Sequence, residues 1–562
     1  MIPVKEFTLP EVFTKAVQAY KDQRACGFIA DQGFTYAQWG RIILSLRRFL
    51  LKAGIQPGDK VAILGENSPQ WGMAYFSIVT SGAVAVPILN DFLEHEVHNI
   101  LEHSEARAIF VSRKYVQKIS PFASNPDRLA FVLEEITSGS AEMELDDPDS
   151  INLEDEFALL PAIGRDDLAS IIYTSGTTGM SKGVMLSHGN IVSNADISSR
   201  SFIELIPGER IVSILPLSHS YEFTIGLILP LIGGLDIHYL GKPPVASVLL
   251  PALERVKPQI MLSVPLLIEK VFRASVLPKV QKSSVLRILY RIPTMRRAIH
   301  RKSGKVIKER FGGNLKFFGI GGAPLDPVVE QFLIEAGFPY AIGYGLTETS
   351  PLIAGCAPSW TRLASTGKVL DTVELRIADA RPDTGEGEIQ VKGPNVMLGY
   401  FKDEQRTAES FTEDGWFRTG DLGLLDDDGF LFIKGREKNV ILGANGENIY
   451  PEHIESVINN YDFVEESLVL PSAEGLAAQV KLDLEALAGH MKVSTEEAAA
   501  HAKEYLDSLV KRANKELNVY SRIQKIGLRL EPFIRTPTKK IKRYLYKEQE
   551  EHNKGQENDN EQ

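Results

Sequence analysis

Residues 173–189 read YTSGTTGMSKGVMLSHG, a stretch that is compatible with two kinds of functional loop. The letters GMSKG, residues 179–183, match the G-x-S-x-G elbow that would make Ser181 a hydrolase nucleophile. The glycines, hydroxyls and lysine also suit a loop that binds phosphate through backbone N–H groups. A Walker A loop is excluded, because two residues separate Gly179 from Lys182 and Gly183 follows the lysine.

The flanking residues favour the phosphate-binding loop. A nucleophile elbow needs a strand that ends just before the first glycine and a helix that starts just after the serine. Here five residues separate the apolar run Ala169–Tyr173 from Gly179, and the following Val184–His188 has the pattern of a strand. We therefore predict a pyrophosphate cradle in which Lys182 adds charge to a run of small residues. These are Thr174, Ser175, Gly176, Thr177, Thr178 and Gly179.

Length and composition indicate a soluble protein of more than one domain. A chain of 562 residues is too long for a single hydrophobic core. Its two cysteines, Cys26 and Cys356, exclude a disulfide framework and a cysteine-rich metal site. No secretory signal is visible at the N-terminus, and the apolar runs are shorter than the roughly 20 residues of a membrane helix. We predict a cytoplasmic protein.

Two basic blocks lie within a net charge of −11. Residues 269–316 hold 14 Lys and Arg against 2 Glu, and residues 511–547 hold 12 against 2. Such blocks are solvated surfaces or contact an anion: a polyphosphate, an acidic carrier protein, or the inner face of a membrane. No nucleic acid partner is expected. The acidic segment 141–164 is predicted to be an exposed connector, and residues 548–562 a disordered acidic tail.

Short apolar runs alternate with helical patterns over the first 345 residues, which predicts an α/β fold with a parallel sheet. The predicted strands are Val61–Leu64, Ala83–Leu89, Ala108–Val111, Ile171–Tyr173, Ile211–Leu215, Ile260–Val264 and Phe317–Ile320. The predicted helices include Tyr36–Leu51, Glu94–His103 and Pro327–Ala336. After about Trp360, short strands punctuated by glycine predict a β-rich subdomain. A small α+β pattern follows Arg436.

The stretch 173–189 resembles the signature loop of the adenylate-forming superfamily, which includes acyl-CoA synthetases, peptide-synthetase adenylation domains and luciferases. Six further segments match the family in the same order: LPLSHSYE (215–222), GGAPL (321–325), GYGLTETSP (343–351), GWFRTGDLG (415–423), KGREKNVILGANGENIYP (434–451) and RTPTKKIKR (535–543). LPLSHSYE and YGLTETSP are most similar to the long-chain fatty-acid–CoA ligases. Ser181 stands where the family usually has proline, which removes a fixed φ but no ligand group.

The resemblance implies both a fold and a reaction. Residues 1–436 would form a large adenylation domain of parallel and mixed α/β subdomains with a β-rich subdomain, and residues 437–547 a small mobile α+β lid. The enzyme would use ATP and Mg²⁺ to convert a fatty acid into acyl-AMP and pyrophosphate, then transfer the acyl group to coenzyme A (CoA). An acyl carrier protein is the alternative acceptor, and a non-catalytic acyl- or nucleotide-binding protein is the third alternative.

The resemblance also assigns the charged residues of the reaction. Lys540 would bridge the carboxylate and the α-phosphate, with its neighbour Lys539 as the alternative. Glu348 would coordinate Mg²⁺, a hard cation that prefers oxygen ligands, with help from the hydroxyl of Thr174. The structural alternative for Glu348 is a carboxylate stabilised at a helix N-terminus. His219 would lie at the carboxylate end of the acyl site, or serve a structural role.

The remaining implied contacts concern the nucleoside and the thiol. Asp421 would accept the ribose hydroxyls, with Arg436 near the same sugar. Glycine allows close approach of the backbone to adenine, and an aromatic ring can face the base. This part of the site comprises Gly321, Gly322, Ala323, Tyr344, Gly345 and Thr347. Lys438 would be the hinge of the lid, and Gly443 and Gly446 would line the path of the CoA pantetheine.

Overall fold

The computed structural model describes residues 1–139, 143–175, 181–281, 284–442, 447–472, 475–536 and 540–546. Several residues singled out from the sequence lie outside these ranges: Gly176, Thr177, Thr178, Gly179, Gly443, Gly446, Lys539 and the tail 548–562. Among the helices of the described ranges, none combines the length and the apolar character needed to cross a membrane.

Most strands are short and come from apolar runs. They are β1 (Arg24–Phe28), β2 (Phe34–Thr35), β3 (Lys60–Leu64), β4 (Val84–Ile88), β5 (Ala106–Val111), β6 (Leu129–Val132), β7 (Leu168–Ser175), β8 (Ser181–Ser187), β9 (Arg210–Ser213), β10 (Asp236–Tyr239), β11 (Ile260–Ser263), β12 (Phe317–Ile320), β13 (Tyr340–Gly345), β14 (Leu352–Gly355), β15 (Lys368–Val369), β16 (Glu374–Ala378), β17 (Gly387–Lys392), β18 (Gly399–Tyr400), β19 (Phe417–Leu425), β20 (Leu431–Arg436), β21 (Ile441–Leu442), β22 (Asn448–Ile449), β23 (Val464–Ser472), β24 (Gly475–Leu482) and β25 (Ile523–Arg529).

Helices separate the strands of the first 345 residues and return near the C-terminus. They are α1 (Leu9–Tyr20), α2 (Tyr36–Lys52), α3 (Pro69–Thr80), α4 (Glu94–His103), α5 (Ser120–Ala123), α6 (Glu135–Ser138), α7 (Leu153–Ala158), α8 (His188–Ser201), α9 (Leu229–Gly233), α10 (Ala246–Val256), α11 (Pro265–Ser275), α12 (Leu277–Gln281), α13 (Ser284–Tyr290), α14 (Pro293–Arg310), α15 (Pro327–Ala336), α16 (Glu404–Glu409), α17 (Pro451–Asn459), α18 (Leu484–Met491) and α19 (Thr495–Glu516). The segment Glu222–Ile228 is a π-helix.

Two large sheets form the N-terminal part. One has the order β15-β14-β13-β12-β11-β9-β10-β1-β2 and is parallel from β13 to β1, with antiparallel strands at both edges. The other has the order β18-β8-β7-β4-β3-β5-β6; it is parallel from β7 to β6, and β8 and β18 add antiparallel pairs. The prediction of α/β architecture is confirmed, and the bounds of the predicted strands fall within three residues of the observed ones.

Local chemistry explains why some element bounds were predictable. Helix α15 begins at Pro327, whose fixed φ suits a first helical position, and the carboxylate of Asp326 accepts the N–H groups of Val328 and Val329. The helix ends at Ala336, and the next residue, Gly337, adopts φ +64°. A predicted helix with such signals at both ends coincides with the observed one.

The later part of the chain is built differently. Strands β16, β17, β19 and β20 form the antiparallel sheet that the glycine-punctuated segments predict. Beyond Arg436, the three-stranded sheet β23-β24-β25 packs with α17, α18 and α19 around a separate apolar core that includes Ile454, Leu482 and Leu509. The domain boundary between residues 436 and 437 stays a prediction.

The acidic segment 141–164 is only in part the exposed connector that its composition suggests. The carboxylate of Glu156 keeps 1% of its exposure and accepts hydrogen bonds from Arg48 at 2.5 and 3.0 Å, with Arg47 3.6 Å away. Asp146 pairs with Arg48 and Lys52 at 3.0 and 2.9 Å. These ion pairs hold Glu156 and Asp146 against α2. They also supply the paired cations that burial of a carboxylate requires. The prediction was wrong for Glu156, which is buried, whereas Glu144, Asp147, Asp149, Glu154 and Asp155 are exposed as predicted.

Candidate active site

Strands β7 and β8, which precede and follow residues 176–180, pair as a β-hairpin. Strand β7 pairs antiparallel with β8, and the register places Thr174 opposite Lys182 and Ser175 opposite Ser181. Ser181 therefore begins a strand, and the next helix, α8, starts at His188 behind the N-cap Ser187. A nucleophile elbow needs a helix directly after its serine, so this geometry contradicts the hydrolase alternative. Thr174 lies near the end of β7 and Lys182 near the start of β8.

Glu348 and Lys182 lie on either side of Tyr400. Glu348 occupies the 3₁₀ turn Thr347–Thr349 after β13, and the Tyr400 hydroxyl donates to its Oε1 at 2.9 Å. The Lys182 ammonium lies 4.8 Å from the centre of the Tyr400 ring. Burial lowers the pKa of Lys182 and the nearby cation Arg406 acts in the same direction, whereas Glu348 opposes the shift. The hairpin and the Glu348 turn therefore share one charged site.

Asp421 is held by two donors. It keeps 4% of its exposure, accepts the Tyr344 hydroxyl at Oδ2 (2.7 Å), and faces Nε of Arg436 from Oδ1 (2.7 Å). Strands β19 and β20 set this arrangement, since Asp421 and Arg436 are register partners. Burial raises the pKa of Asp421 above its usual range, while Arg436, Tyr344 and Lys540 act to lower it. A single carboxylate thus joins two segments predicted to bind the nucleoside.

Lys540 reaches this same group from the far end of the chain. It follows Thr536, whose N–H donates to the Lys540 carbonyl at 2.7 Å and whose hydroxyl accepts the Lys540 N–H at 3.1 Å. The pKa of Lys540 is lowered, first by desolvation and then by Arg436, while Asp421 and Glu348 oppose the shift. The residue nevertheless stays solvent-exposed. Lys540 therefore lies in a crowded cleft that remains open to water.

His219 lies close enough to Lys540 for the lysine charge to affect the pKa of its imidazole. Burial, followed by the Lys540 ammonium, lowers the pKa of His219 to about 4. Its Nδ1 accepts the backbone N–H of Tyr221 at 3.3 Å. The neutral imidazole therefore carries its proton on Nε2, where it can act as a hydrogen-bond donor.

Glycines shape the wall of the cleft. Gly322 adopts φ +86° just after β12, and Gly322 and Ala323 are exposed. A Cβ on Gly321 would lie 3.2 Å from the Tyr221 ring. A Cβ on Gly345 would lie 1.8 Å from the Pro351 carbonyl oxygen, so this glycine is required by packing whatever else it contacts.

Thr347 and Lys438 occupy two further points around the cleft. The Thr347 hydroxyl lies 3.4 Å from that of Ser220, which links the Glu348 turn to the segment that carries His219. Lys438 is exposed in the turn Glu437–Asn439 between β20 and β21, and its charge helps to lower the pKa of Lys182. The structure thus brings together Thr174, Lys182, His219, Thr347, Glu348, Asp421, Arg436, Lys438 and Lys540.

An apolar cavity of about 40 Å³ opens behind Tyr221. Tyr221, Gly319 and Gly343 line one part of it, and Phe202 and Cys356 line another. Tyr221 and Gly343 are close neighbours in sequence of His219 and Tyr344, so the cavity adjoins the charged cleft. Its volume is near the roughly 30 Å³ that one water molecule occupies, so a larger apolar ligand would require the lining to move.

The family model for the AMP-binding enzyme matches residues 13–401. The chain belongs to this family. A long-chain-fatty-acid–CoA ligase from Mycobacterium bovis (FadD15) is 30% identical over 540 residues, covering 89% of this chain and 88% of that protein. The peroxisomal long chain acyl-CoA synthetase 6 of Arabidopsis thaliana is 30% identical over 524 residues, covering 85% of this chain and 73% of that protein. The predicted membership of the adenylate-forming superfamily and acyl-CoA synthetase type are confirmed.

A solved relative supports the fold of this AMP-binding enzyme. The o-succinylbenzoate CoA synthetase of Bacillus subtilis, in complex with ATP and a magnesium ion, superposes with a TM-score of 0.73. It is 24% identical, and the likeness covers 95% of this chain and 98% of that one. At this identity the likeness shows the fold, and the predicted fold class is confirmed.

Two residues of the AMP-binding enzyme's site were not found from its sequence. Tyr400 joins Glu348 to Lys182, and Arg406 adds a cation beside them. Neither lies in the seven segments that carry the family resemblance. Strand β18 brings Tyr400 into place by pairing with β8 opposite Val184. That pairing joins residues more than 200 positions apart, so no local sequence pattern predicts it.

Proposed function

We propose that this AMP-binding enzyme converts a long-chain fatty acid and ATP into acyl-AMP and pyrophosphate, and then transfers the acyl group to CoA. The observation that carries the proposal is that Lys540 interacts electrostatically with Asp421, Glu348 and His219 beside an apolar cavity. The relatives named as long-chain ligases support the long-chain assignment, at about 30% identity.

Electrostatics explain the need for so many cations. In adenylation, a carboxylate oxygen forms a bond to the α-phosphorus of ATP as the bond to pyrophosphate breaks. Both reactants are anions, so positive groups must lower their repulsion, and losing one well-placed donor costs about 10²–10³ in rate. We assign Lys540 to the carboxylate and α-phosphate, and Lys182 with the hairpin to the pyrophosphate. Bound triphosphate would also stabilise the ammonium forms of both lysines.

His219 suits the carboxylate end of the acyl site. With its pKa lowered to about 4, its ring is neutral at neutral pH. A neutral Nε2–H can donate a hydrogen bond to the fatty acid carboxylate without forming an ion pair with it. The apolar cavity behind Tyr221 would then receive the beginning of the acyl chain.

Glu348 and Thr174 fit a magnesium ion that arrives with ATP. Mg²⁺ prefers oxygen ligands and is usually bound through one or two carboxylates, substrate phosphates and water. Consistent with this, the described residues contain no group of three His, Cys, Asp or Glu side chains that could hold a metal alone. When bound, the ion would offset charge on the triphosphate. Glu348 would hold it, with Thr174 nearby on the hairpin.

Transfer to the thiol requires that Lys540 leave the acyl-AMP. We assign the hinge to Lys438 in the turn Glu437–Asn439, and the lid to residues 437–547. Gly443 and Gly446, outside the described residues, are assigned to the thiol path. An acyl carrier protein is the alternative acceptor, because the basic blocks would suit an acidic partner.

The test measures ATP–pyrophosphate exchange with a panel of carboxylates from acetate to long-chain fatty acids. Reactions with CoA or with a pantetheine-loaded acyl carrier protein then identify the acceptor by product analysis. We expect exchange to rise with chain length and thioester formation with CoA. Thioester on the carrier protein alone would favour the alternative acceptor. Absence of exchange with every carboxylate would overturn the proposal and favour a non-catalytic binding protein.

A further inference from the structure

Four large apolar side chains are exposed along the segment that runs from α13 into the first turn of α14. Val285 and Ile288 keep 65% and 64% of their exposure, and Ile292 and Met295 keep 45% and 46%. Val285 and Ile288 are three residues apart on α13 and therefore share one face of that helix. Clusters of exposed apolar side chains on a protein surface mark interaction sites.

Exposed cations border these apolar side chains. Residues 284–310 contain nine Lys and Arg and one acidic residue, Glu309. Arg297, Arg301 and Lys305 follow one another at intervals of four and are exposed, so they form a stripe along α14. We call the four apolar residues together with Arg291, Arg297, Arg301, Lys302 and Lys305 the α13–α14 surface.

A different face of α14 is already used by the fold. His300, Gly304 and Ile307 are buried, and Gly304 lies so close to α15 that a Cβ there would be 2.6 Å from that of Ala336. Arg296 donates to Glu335 of α15 at 2.6–3.2 Å. Helix α14 is therefore anchored through this face, and its cationic stripe points away from the core.

We propose that the α13–α14 surface docks on a lipid bilayer that contains anionic phospholipid. Short amphipathic helices with aliphatic side chains beside Lys and Arg are typical of segments that lie in the bilayer interface. The cations would meet lipid phosphates while the apolar side chains enter the acyl boundary. An acidic protein could also attract the cations, but charge attraction alone gives no role to the four exposed aliphatic side chains.

The test is vesicle flotation of the full-length protein. Vesicles of phosphatidylcholine alone are compared with equimolar phosphatidylcholine and phosphatidylglycerol. We expect binding to the anionic vesicles only. The double variant Ile288→Ser/Met295→Ser removes apolar contact and should weaken binding about tenfold. The triple variant Arg297→Gln/Arg301→Gln/Lys305→Gln should weaken it about a hundredfold, because each cation near an anionic surface contributes strongly.

Matched controls carry equivalent changes elsewhere on the surface. Leu159 and Ile206 are exposed apolar residues outside the α13–α14 surface, at 64% and 51%, and the variant Leu159→Ser/Ile206→Ser should bind as the unchanged protein does. The triple variant Lys21→Gln/Lys242→Gln/Lys392→Gln, at three exposed lysines, controls for net charge and should weaken binding much less. Thermal unfolding of each variant shows whether it is folded.

Three results would overturn the proposal. One is absence of binding to the anionic vesicles. Another is equal weakening by the charge control and by the triple variant on α14, which would indicate attraction through net charge alone. The last is unchanged vesicle binding by Ile288→Ser/Met295→Ser together with loss of its binding to a purified acidic acyl carrier protein. That result would assign the surface to a protein partner.

Discussion

Nε of Arg436 lies 2.7 Å from Oδ1 of Asp421, and the two residues are register partners on β19 and β20. Lys540 also acts on this carboxylate, although it lies more than a hundred residues further along the chain. Asp421 is therefore the point where the side of the cleft proposed to bind the nucleoside meets the lysine proposed to act in adenylation. Tyr344 completes the arrangement by donating its hydroxyl to Oδ2.

The variant Asp421→Asn should raise KM for ATP by about 10- to 100-fold. A hydrogen bond to a charged group contributes about 1.5–3 kcal/mol, and the amide would replace the carboxylate proposed to accept the ribose hydroxyls. Steady-state kinetics with ATP and the fatty acid varied separately would measure the effect. Asp426→Asn, at an aspartate that pairs with Arg362 away from the cleft, is the matched control. A rise in the fatty acid KM alone would contradict the ribose assignment.

Lys540→Ala should abolish ATP–pyrophosphate exchange while leaving thioester formation from supplied acyl-AMP largely intact. The ammonium is proposed to act on the α-phosphate in the first half-reaction, and its loss should lower that rate by at least about 10²–10³. The two half-reactions are assayed separately. Lys542→Ala, two residues further on, is expected to leave exchange close to normal. Equal loss of both half-reactions in Lys540→Ala would argue against the assigned role.

Glu222 lies directly after Tyr221 and is buried in the π-helix. Ser213 donates its hydroxyl to Oε1 at 2.5 Å, and Oε2 has no hydrogen-bond partner among the described residues. Asn67 extends this network by donating to Ser213 and to the Leu215 carbonyl, so it ties the segment that carries His219 to the core. Burial raises the pKa of Glu222 to about 8.

This raised pKa predicts that the contribution of Glu222 to the free energy of unfolding falls as the pH rises from 4.5, the ordinary pKa of a glutamate, to about 8. Over that window the folded protein holds a proton that the unfolded chain has lost, so unfolding becomes easier with rising pH. Glu222→Gln, a neutral mimic, should be more stable at neutral pH by on the order of 3 kcal/mol and should lose less stability across the window. Denaturant unfolding of both proteins at several pH values measures this. Parallel pH profiles would contradict it.

Sequence patterns located the elements and charged residues whose signals are local. The strand Phe317–Ile320 and the helices Glu94–His103 and Pro327–Ala336 have the bounds that the sequence predicts. Pairings between distant segments were not predictable. Glu156 is buried because Arg48, 108 positions away, supplies its partner, and Tyr400 reaches Glu348 across 52 positions. Composition alone therefore misassigned Glu156, and the motifs omitted Tyr400.

The apolar cavity could not be predicted from the sequence either, because α8, the π-helix, α9 and four strands contribute to its lining. If the cavity receives the acyl chain, the Phe202 ring would limit the length of chain that fits. This ring fills the space beside Gly355, since it lies 2.7 Å from where a Cβ on Gly355 would be. Phe202→Ala should shift the preference in kcat/KM toward longer fatty acids, because it removes the ring from the cavity wall. Gly355→Ala should act in the opposite direction. An unchanged chain-length profile in both variants would place the acyl chain elsewhere.

Ser181 provides the sharpest test of the hairpin. It begins β8, pairs with Ser175, and stands where the family usually has proline. Because no step of the proposed reaction uses its hydroxyl, Ser181→Ala should keep most ligase activity, and a fluorophosphonate probe should leave the protein unlabelled. Lys182→Ala, at the next residue, should slow adenylation strongly, since its ammonium is assigned to the pyrophosphate. An inactive Ser181→Ala variant together with probe labelling at Ser181 would restore the nucleophile interpretation.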